Sequence, residues 1–223
     1  MKIAIDGPAG AGKSTISKAT AKRLGFIYID TGAMYRAVGL AAVRRGINTT
    51  DADAVISILD DINITLSYDE SGQQIFLNGE NVSDDIRLPE ISVAASNVAV
   101  IPSVRLKLVE LQRELAAHND VLMDGRDIGT YVLPDAEVKI FLTASVEERA
   151  KRRYRELIGK GIKADITEVK TDMEYRDKND SEREFAPLKP AEDSIVLDNT
   201  DLSLEQSVNK ICEIVEARKA ENK

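Results

Sequence analysis

The chain contains few of the residue types on which several common chemistries depend. Among its 223 residues there are one cysteine, one histidine and no tryptophan. The single cysteine, Cys212, excludes an intrachain disulfide, and the single histidine, His118, leaves no Cys/His cluster for structural zinc and no basis for Ser-His-Asp catalysis. Cys212 falls on the apolar face of the last predicted helix, so we expect it to be a core residue.

Positive charge and aromatic side chains are also scarce. Thirty Lys and Arg residues oppose 38 Asp and Glu residues, and aromatic residues make up 4% of the chain. This balance argues against a surface that grips a nucleic-acid polymer, so any bound anion must be held locally. No apolar run is long enough to cross a bilayer, and the N-terminus becomes polar too early for a signal peptide. We therefore predict a cytoplasmic protein with neither a membrane nor a nucleic-acid polymer as partner.

Short apolar runs alternate with amphipathic helices along most of the chain. Five of these runs have the length and composition of parallel strands that are covered on both faces. They span residues 3–5, 26–29, 121–123, 138–142 and 194–197. The pattern predicts an α/β fold with a five-stranded parallel sheet flanked by helices.

One segment interrupts this alternation. Alternating hydrophobicity over 62–68, a turn over 69–72 and a second run over 73–77 predict antiparallel strands, and Asn78-Gly79 is a strong hairpin signal. Thr50 and Asp53 resemble a capping box for a short helix before this sheet. Two helices are predicted after it, over 89–99 and 103–117. A small antiparallel sheet is therefore inserted into an α/β chain.

A glycine-rich motif between the first strand and the first helix is the strongest functional signal. Residues 7–14 fit G-x-x-x-x-G-K-[ST] in full, in the strand-loop-helix context that this motif requires. Its backbone N–H groups curl around phosphates, Lys13 reaches the outer phosphates and Ser14 ligates Mg²⁺. We assign ATP binding to Gly7, Pro8, Ala9, Gly10, Ala11, Gly12, Lys13, Ser14 and Thr15.

Asp124 is the candidate for a second magnesium-facing group. It ends the apolar run 121–123, where P-loop enzymes carry such a carboxylate. An Asp after a strand is most often a turn residue, so this assignment depends on the glycine-rich loop. The predicted metal site therefore consists of Ser14 and Asp124, with Mg²⁺ as the cofactor and ATP as phosphoryl donor.

Two further segments place cations at the carboxyl ends of strands, where open α/β sheets bind ligands. Residues 30–36 bring Arg36 to the start of a helix, and residues 124–129 bring Arg126 to a loop. A GTPase-type switch is disfavoured because its N-K-x-D segment is missing. Its D-x-x-G motif occurs only at 69–72, where a turn explains it better.

These motifs together resemble the bacterial cytidylate kinases. The resemblance rests on IDGPAGAGKS, DTGAMYR, DGRDIGT, the segment 176–183 and Ala186-Pro187-Leu188, and it covers almost the whole chain. Members of this family carry a small sheet and helices inserted in the acceptor-binding part, which matches the interruption described above. The resemblance implies transfer of the ATP γ-phosphoryl group to CMP or dCMP.

The resemblance also implies roles for individual residues. Arg36 and Arg126 match positions that hold the acceptor phosphate, a task suited to planar bidentate donors. The base-reading positions match Ser96, Arg105 and Asp127, with Arg183 assisting. Sugar contacts match Arg176 and Asp180, and Thr31 and Tyr35 match positions that line the acceptor pocket. Asn179 stands where relatives commonly carry a basic residue, which leaves the sugar contacts less defined.

A basic segment resembles the lid of the family. Residues 149–163 contain seven Lys or Arg residues and one Glu. Four arginines within seven positions cannot all point one way on a helix. We predict that Arg149 and Arg153 are the inward pair, and that they join Lys13 and Arg126 as catalytic residues.

The resemblance suggests one kinase unit with three regions. We expect a core of 1–32, 100–148 and 165–223, an acceptor-binding region over 33–99 and a lid over 149–164. A monomer is usual in this family. Two alternatives remain: another small P-loop kinase, of the shikimate or dephospho-coenzyme A type, and a nucleotide-dependent switch without acceptor turnover.

Overall fold

A parallel five-stranded sheet and a smaller antiparallel sheet organise the fold in the computed structural model, which describes residues 1–69 and 72–221. Glu70 and Ser71, in the predicted turn, lie outside the described residues. The strands are β1 (Lys2–Asp6), β2 (Ile27–Asp30), β3 (Ile64–Asp69), β4 (Gly72–Leu77), β5 (Glu80–Asn81), β6 (Val121–Gly125), β7 (Val138–Thr143) and β8 (Ile195–Asp198). The parallel order is β2-β6-β1-β7-β8, as the alternating sequence predicts.

The helices cover both faces of the parallel sheet. They are α1 (Lys13–Leu24), α2 (Thr31–Arg44), α3 (Ala52–Ile56), α4 (Pro89–Val98), α5 (Pro102–Ala116), α6 (Val146–Gly159), α7 (Ile166–Glu182) and α8 (Leu204–Glu221). No single helix in the described ranges is long and apolar enough to cross a membrane. The pair α4 and α5 meets that test only jointly, across a bend of 101°.

Strand β1 shows how the sequence builds two cores. Side chains alternate across a strand, so Ile3 and Ile5 pack with α1 and α8 while Ala4 packs with α2, α4 and α5. All three are fully buried. Cys212 lies in the α8 core, which confirms its predicted structural role. A third, smaller cluster joins α6 to α7 through Leu157, among others.

The strand at one edge of the sheet differs from its prediction. Among the described strands, β8 pairs with β7 alone, and its residues Ile195 and Val196 are 46% and 59% exposed. The expectation that this strand is covered on both faces was therefore wrong. A short apolar run predicts a strand, but the run itself does not say whether the strand lies in the centre or at the edge.

Strand register brings three carboxylates to one rim. Asp30 at the end of β2 pairs with Asp124 of β6, and Ile5 of β1 pairs with Asp124 on the other side. Asp6 follows immediately, beside Gly125. The carboxyl ends of parallel strands thus place Asp6, Asp30 and Asp124 at the rim from which the glycine-rich loop begins.

The inserted antiparallel sheet was predicted correctly. It has the order β3-β4-β5, and Asn78 and Gly79 connect β4 to β5 with φ values of 51° and 84°. Two successive residues with positive φ are the signature of a type I′ hairpin turn.

Local details around this frame depart from the sequence predictions. Asp51, not Thr50, caps α3, because its carboxylate accepts a hydrogen bond from the Ala54 N–H at 3.1 Å. Residues Ile128–Val132 form a π-helical turn rather than an open loop. The sequence also gave no expectation of α7, whose residues are almost entirely polar.

The close contact between α2 and α4 generates a stability prediction. A Cβ at Gly39 would lie 3.0 Å from the Ala95 backbone nitrogen and 3.1 Å from Ala94. We expect Gly39→Val to lower the free energy of unfolding by about 1–3 kcal/mol because the branched side chain overpacks this contact. Urea unfolding measures the change. The matched control is Gly159→Val, because a Cβ added at Gly159 would meet nothing within 4 Å beyond its own helix backbone among the described residues. An equal loss there would contradict the packing argument.

Candidate active site

The glycine-rich loop between β1 and α1 adopts a conformation that only glycine allows at two of its positions. A Cβ at Gly7 would overlap the carbonyl oxygen of Leu142, so the loop passes against the backbone of β7. Gly12 has a φ of 87° and caps the N-terminus of α1. The loop therefore carries its backbone amides to the positive end of a helix, which favours a bound anion.

Contacts from outside hold this loop in place. The Arg149 guanidinium donates to the Ala9 carbonyl at 2.9 Å, and the Asp177 carboxylate accepts from the Ala9 N–H at 3.0 Å. Arg149 and Asp177 also pair with each other. On the opposite side, Asn199 donates to the Ala11 carbonyl at 2.9 Å. The α6, α7 and post-β8 segments thus fix the loop that the sequence motif encodes.

Oxygen ligands suited to Mg²⁺ lie beside the loop. Ser14 donates to one carboxylate oxygen of Asp124 at 3.0 Å, and the Tyr28 hydroxyl donates to the other at 2.9 Å. A hydroxyl and a carboxylate are hard donors, and Mg²⁺ is usually held by one or two such groups together with phosphate oxygens. The donor set at Ser14 and Asp124 therefore fits a phosphate-bound magnesium ion.

Burial shifts the charge balance of this part of the site. Desolvation raises the pKa of Asp124, and the nearby Asp30 raises it further. Desolvation also lowers the pKa of Lys13, followed by the charge of Arg126. The Lys13 ammonium donates to the Pro8 carbonyl at 2.8 Å. Phosphate oxygens would favour the charged form of Lys13, and a divalent cation would favour the ionised form of Asp124.

The part of the site that contains the predicted acceptor residues, called the acceptor half below, is built from arginine-carboxylate pairs. Arg36, on α2, pairs with Asp30 at 2.9 Å. Arg126, on the loop after β6, pairs through Nε with Asp180 of α7 at 2.6 Å. Burial raises the pKa of Asp180, but the positive charges of Arg126 and then Arg183 lower it by more. The pKa of Asp180 therefore lies below its usual value. Each guanidinium is therefore oriented before any ligand arrives.

A second ion-pair network lies deeper in the same half. The Asp127 carboxylate accepts from Arg105 with one oxygen and from Arg183 with the other. The Arg105 side chain is fully buried, and its guanidinium lies 5.5 Å from the Tyr35 ring centre. The Tyr35 hydroxyl and the Arg105 Nε are buried, and neither has a hydrogen-bond partner within the described chain. The Tyr35 hydroxyl and the Arg105 Nε are thus two polar groups that can bind a polar ligand.

Arg176 is the least compensated cation of the site. In the ranges 1–69 and 72–221 it has no hydrogen bond and no ion pair, although its side chain lines the cavity. Burial, followed by the positive charge of Arg126, lowers its pKa to about 10, while the negative charge of Asp180 acts in the opposite direction. A bound polyanion would favour the charged form of Arg176.

Helix α6 contributes three further arginines to the cavity: Arg152, Arg153 and Arg155. Arg153 is also paired with Glu156, and Arg152 with Glu148. Arg149 turns the other way and reaches beneath the glycine-rich loop, as described above. The inward pair predicted from sequence is therefore split, with Arg153 in the cavity and Arg149 behind the loop; the catalytic role of both stays a prediction.

One cavity of about 840 Å³ joins the two halves. From the predicted ATP-binding set it is lined by Ala9, Gly10, Gly12, Lys13, Ser14 and Thr15. From the predicted acceptor set it is lined by Thr31, Tyr35, Arg36, Ser96, Arg105, Arg126, Asp127, Arg176, Asp180 and Arg183. The magnesium candidate Asp124 lines it as well. Most of the predicted site residues therefore meet at one place, whereas Gly7, Pro8, Ala11 and Arg149 do not line this cavity.

Several residues that hold this site in place were not identified from the sequence. Asp6 and Asn199 both follow or end a strand, so the rule that ligands bind at carboxyl ends could have found them. Asp177 is different, because one carboxylate among many in a charged segment gives no signal. Asp165 and Glu168 spell a capping pattern that would have indicated helix α7.

Fold and cavity together define a P-loop phosphotransferase with two adjoining anion sites. The comparison with known families agrees: a model described as cytidylate kinase matches residues 3–217. The chain belongs to the cytidylate kinase family, whose members are nucleoside-monophosphate kinases.

Curated relatives match nearly the full length. Cytidylate kinase from Geobacillus sp. (strain WCH70) is 55% identical over 218 residues, covering 98% of this chain and 97% of the relative. Cytidylate kinase from Caldicellulosiruptor saccharolyticus is 52% identical over 214 residues, covering 96% and 95%. Among solved structures, an uncharacterized protein from Eubacterium ventriosum ATCC 27560 aligns with a TM-score of 0.55 at 13% identity, over 97% of this chain and 98% of that chain. This last similarity concerns the fold alone.

Asp6 gives the stability of the protein a defined pH dependence. Its buried carboxylate accepts from the Ile128 and Gly129 N–H groups, both at 2.8 Å. Burial raises its pKa from 3.8 to about 7, although these two hydrogen bonds lower it. The folded state therefore holds this proton more tightly than the unfolded state. The stabilisation that follows is complete below about pH 4 and is lost as pH rises through about 7.

We expect the free energy of unfolding of the wild type, relative to Asp6→Asn, to fall by about 2 kcal/mol between about pH 5.5 and about pH 8. The asparagine does not titrate, so the difference isolates this group. Urea unfolding at a series of pH values measures it. A difference that stays constant, or that grows with pH, would contradict the raised pKa.

Proposed function

We propose that the protein transfers the γ-phosphoryl group of ATP to the phosphate of CMP or dCMP, giving ADP and CDP or dCDP. The observation that carries this proposal is the single cavity that joins a P-loop to a cluster of oriented arginines. Membership of the cytidylate kinase family supports the identity of the acceptor.

The reaction needs charge compensation rather than a general base. The acceptor phosphate is already largely anionic at neutral pH. In an in-line transfer, an acceptor oxygen bonds to the γ-phosphorus while the bond to the bridging oxygen of ADP breaks. Lys13, Arg126 and Arg153 are proposed to offset the charge of two polyanions. Arg149 is proposed to act from behind the loop by fixing the Ala9 peptide.

Magnesium is the proposed cofactor, held by Ser14 and Asp124. When bound, it would supply positive charge to the phosphate chain. Ser14, as the second residue of α1, presents its hydroxyl beside the loop amides, and Asp124 is kept in orientation by Tyr28. The proposed task of these side chains is to orient the phosphate end of ATP.

The acceptor pocket offers a physical basis for choosing cytosine. A carboxylate accepts from the cytosine amino group but repels the carbonyl that uracil carries at the same position. Asp127, fixed by Arg105 and Arg183, is the proposed reader, together with Ser96. Arg36 and Arg126 are proposed to hold the acceptor phosphate, Arg176 and Asp180 the sugar, and Thr31 and Tyr35 to line the pocket.

We further propose that the chain works as one unit with a core, an acceptor-binding region over 33–99 and a lid over 149–164. In this division, an apolar cluster packs Ala150 and Leu157 of the lid against Val169 and Met173 of the core region. Monomeric state and cytoplasmic location stay predictions.

The proposed reaction is tested with a panel of acceptors. With Mg²⁺ and ATP, we expect ADP formation with CMP and dCMP to exceed that with UMP, AMP and shikimate by about tenfold or more. A coupled ADP-release assay measures these rates, with a reaction lacking acceptor as control. Faster turnover of shikimate would favour the other type of small P-loop kinase. ATP binding without acceptor-dependent turnover would indicate a nucleotide switch.

The base-reading role of Asp127 generates a specificity prediction. We expect Asp127→Asn to reduce the ratio of kcat/KM for CMP to that for UMP by about tenfold, because an amide can also donate to uracil. Initial rates with the two nucleotides measure this ratio. The control is Asp201→Asn, the same change at an exposed position of the cavity beyond β8. An unchanged ratio in Asp127→Asn, or an equal change in the control, would refute the assignment.

A further inference from the structure

The side chain of Gln73 links the inserted antiparallel sheet to the edge of the central sheet by hydrogen bonds. Gln73, on β4, accepts a hydrogen bond from the Asp30 N–H at 2.9 Å and donates to the Asp30 carbonyl at 3.5 Å. Asp30 lies on β2, the outermost strand on that side of the parallel sheet. The Gln73 amide therefore pairs with both backbone polar groups of an edge residue, in the way that a neighbouring strand would.

The residue held in this way is the anchor of the acceptor half. The Asp30 carboxylate caps α2, because one oxygen accepts from the Ala33 N–H at 2.9 Å. Its other oxygen accepts from Arg36 at 2.9 Å. The Asp30 side chain is 9% exposed and the Arg36 side chain 19%, so neither has much freedom to move. A displacement of the Asp30 backbone would move the Arg36 partner and the start of α2 together.

The neighbouring glutamine on β4 has a different environment. Gln74 lies on the opposite face of the strand and has hydrogen bonds with Asp69 and Asn81 of the inserted sheet, both at 3.4 Å. Gln73 and Gln74 share strand and residue type, and the Gln73 amide is the one that pairs with the backbone of Asp30. Comparing variants at these two positions therefore separates a general effect on the inserted sheet from an effect on the site.

We infer that Gln73 is a positioning residue, through which the inserted sheet sets the orientation of Asp30 and thereby of Arg36 toward an acceptor phosphate. The inference rests on the proposed function, since it assumes that Arg36 holds that phosphate. On this inference, the inserted sheet has a role in the site: it holds the edge of the central sheet in position at Asp30, the residue that caps α2.

The first experiment compares Gln73→Met with Gln74→Met by calorimetric binding of CMP and of cytidine. We expect Gln73→Met to weaken CMP binding by about 5- to 10-fold and to leave cytidine binding within about twofold, because only the phosphate reaches Arg36. Gln74→Met is expected to resemble the wild type with both ligands. In steady-state assays the KM for CMP should rise while the KM for ATP stays the same.

A second experiment, in the Arg36→Met variant, tests whether Gln73 affects CMP binding through Arg36. In Arg36→Met, the added Gln73→Met substitution is expected to change CMP affinity by less than about twofold, since the group that it positions is gone. Gln73→Ala provides an independent variant should the methionine disturb the packing. Urea unfolding of each variant shows whether the fold is retained.

The results separate this inference from the proposed function. Failure of the wild type to bind or phosphorylate CMP would refute the function itself. If the wild type does both, the inference is overturned by equal CMP affinity in the two glutamine variants. Equal losses for CMP and cytidine, or a full Gln73 effect in the Arg36→Met background, would overturn it as well.

Discussion

The site depends on holding several buried or partly buried guanidinium groups side by side in one cavity. Burying a charge is costly unless a partner compensates it, and these arginines are compensated by carboxylates from different elements. Asp30 forms an ion pair with Arg36, and Asp180 forms one with Arg126. Asp127 pairs with both Arg105 and Arg183. Arg176 remains without such a partner among the described residues. A chain with a net charge of −8 thus gathers several guanidinium groups at one rim of its sheet.

Beside the phosphate loop, two buried groups of opposite charge lie in the same part of the site. Lys13 and Asp124 are both buried, and burial disfavours the charged form of each. A polyanion near the lysine and a cation near the carboxylate would reverse these effects, so ligand binding and side-chain ionisation support each other. Hydrogen bonds to Pro8, Ser14 and Tyr28 hold both groups beside the loop.

Prediction from sequence succeeded where a short pattern carries its own physical reason. The glycine-rich loop, the strands and the Asn78-Gly79 turn each follow from local conformational rules. It failed where the answer depends on distant partners. Arg149 and Arg153 lie four residues apart on one helix, yet Asp177 and the Ala9 carbonyl hold the first behind the loop while the second lines the cavity. No spacing on α6 encodes the position of α7.

Local sequence patterns are enough to predict the fold class, the phosphate loop and the residue types of the proposed acceptor site, because strand alternation, glycine conformation and charge are local properties. Which charges meet depends on how the elements pack. Strand register placed Asp6, Asp30 and Asp124 at one rim. The packing of α7 brought Asp177 to the loop and Asp180 to Arg126, and the inserted sheet brought Gln73 to Asp30. These contacts join residues far apart in the chain, so the geometry of the packed elements decides them and local preference does not.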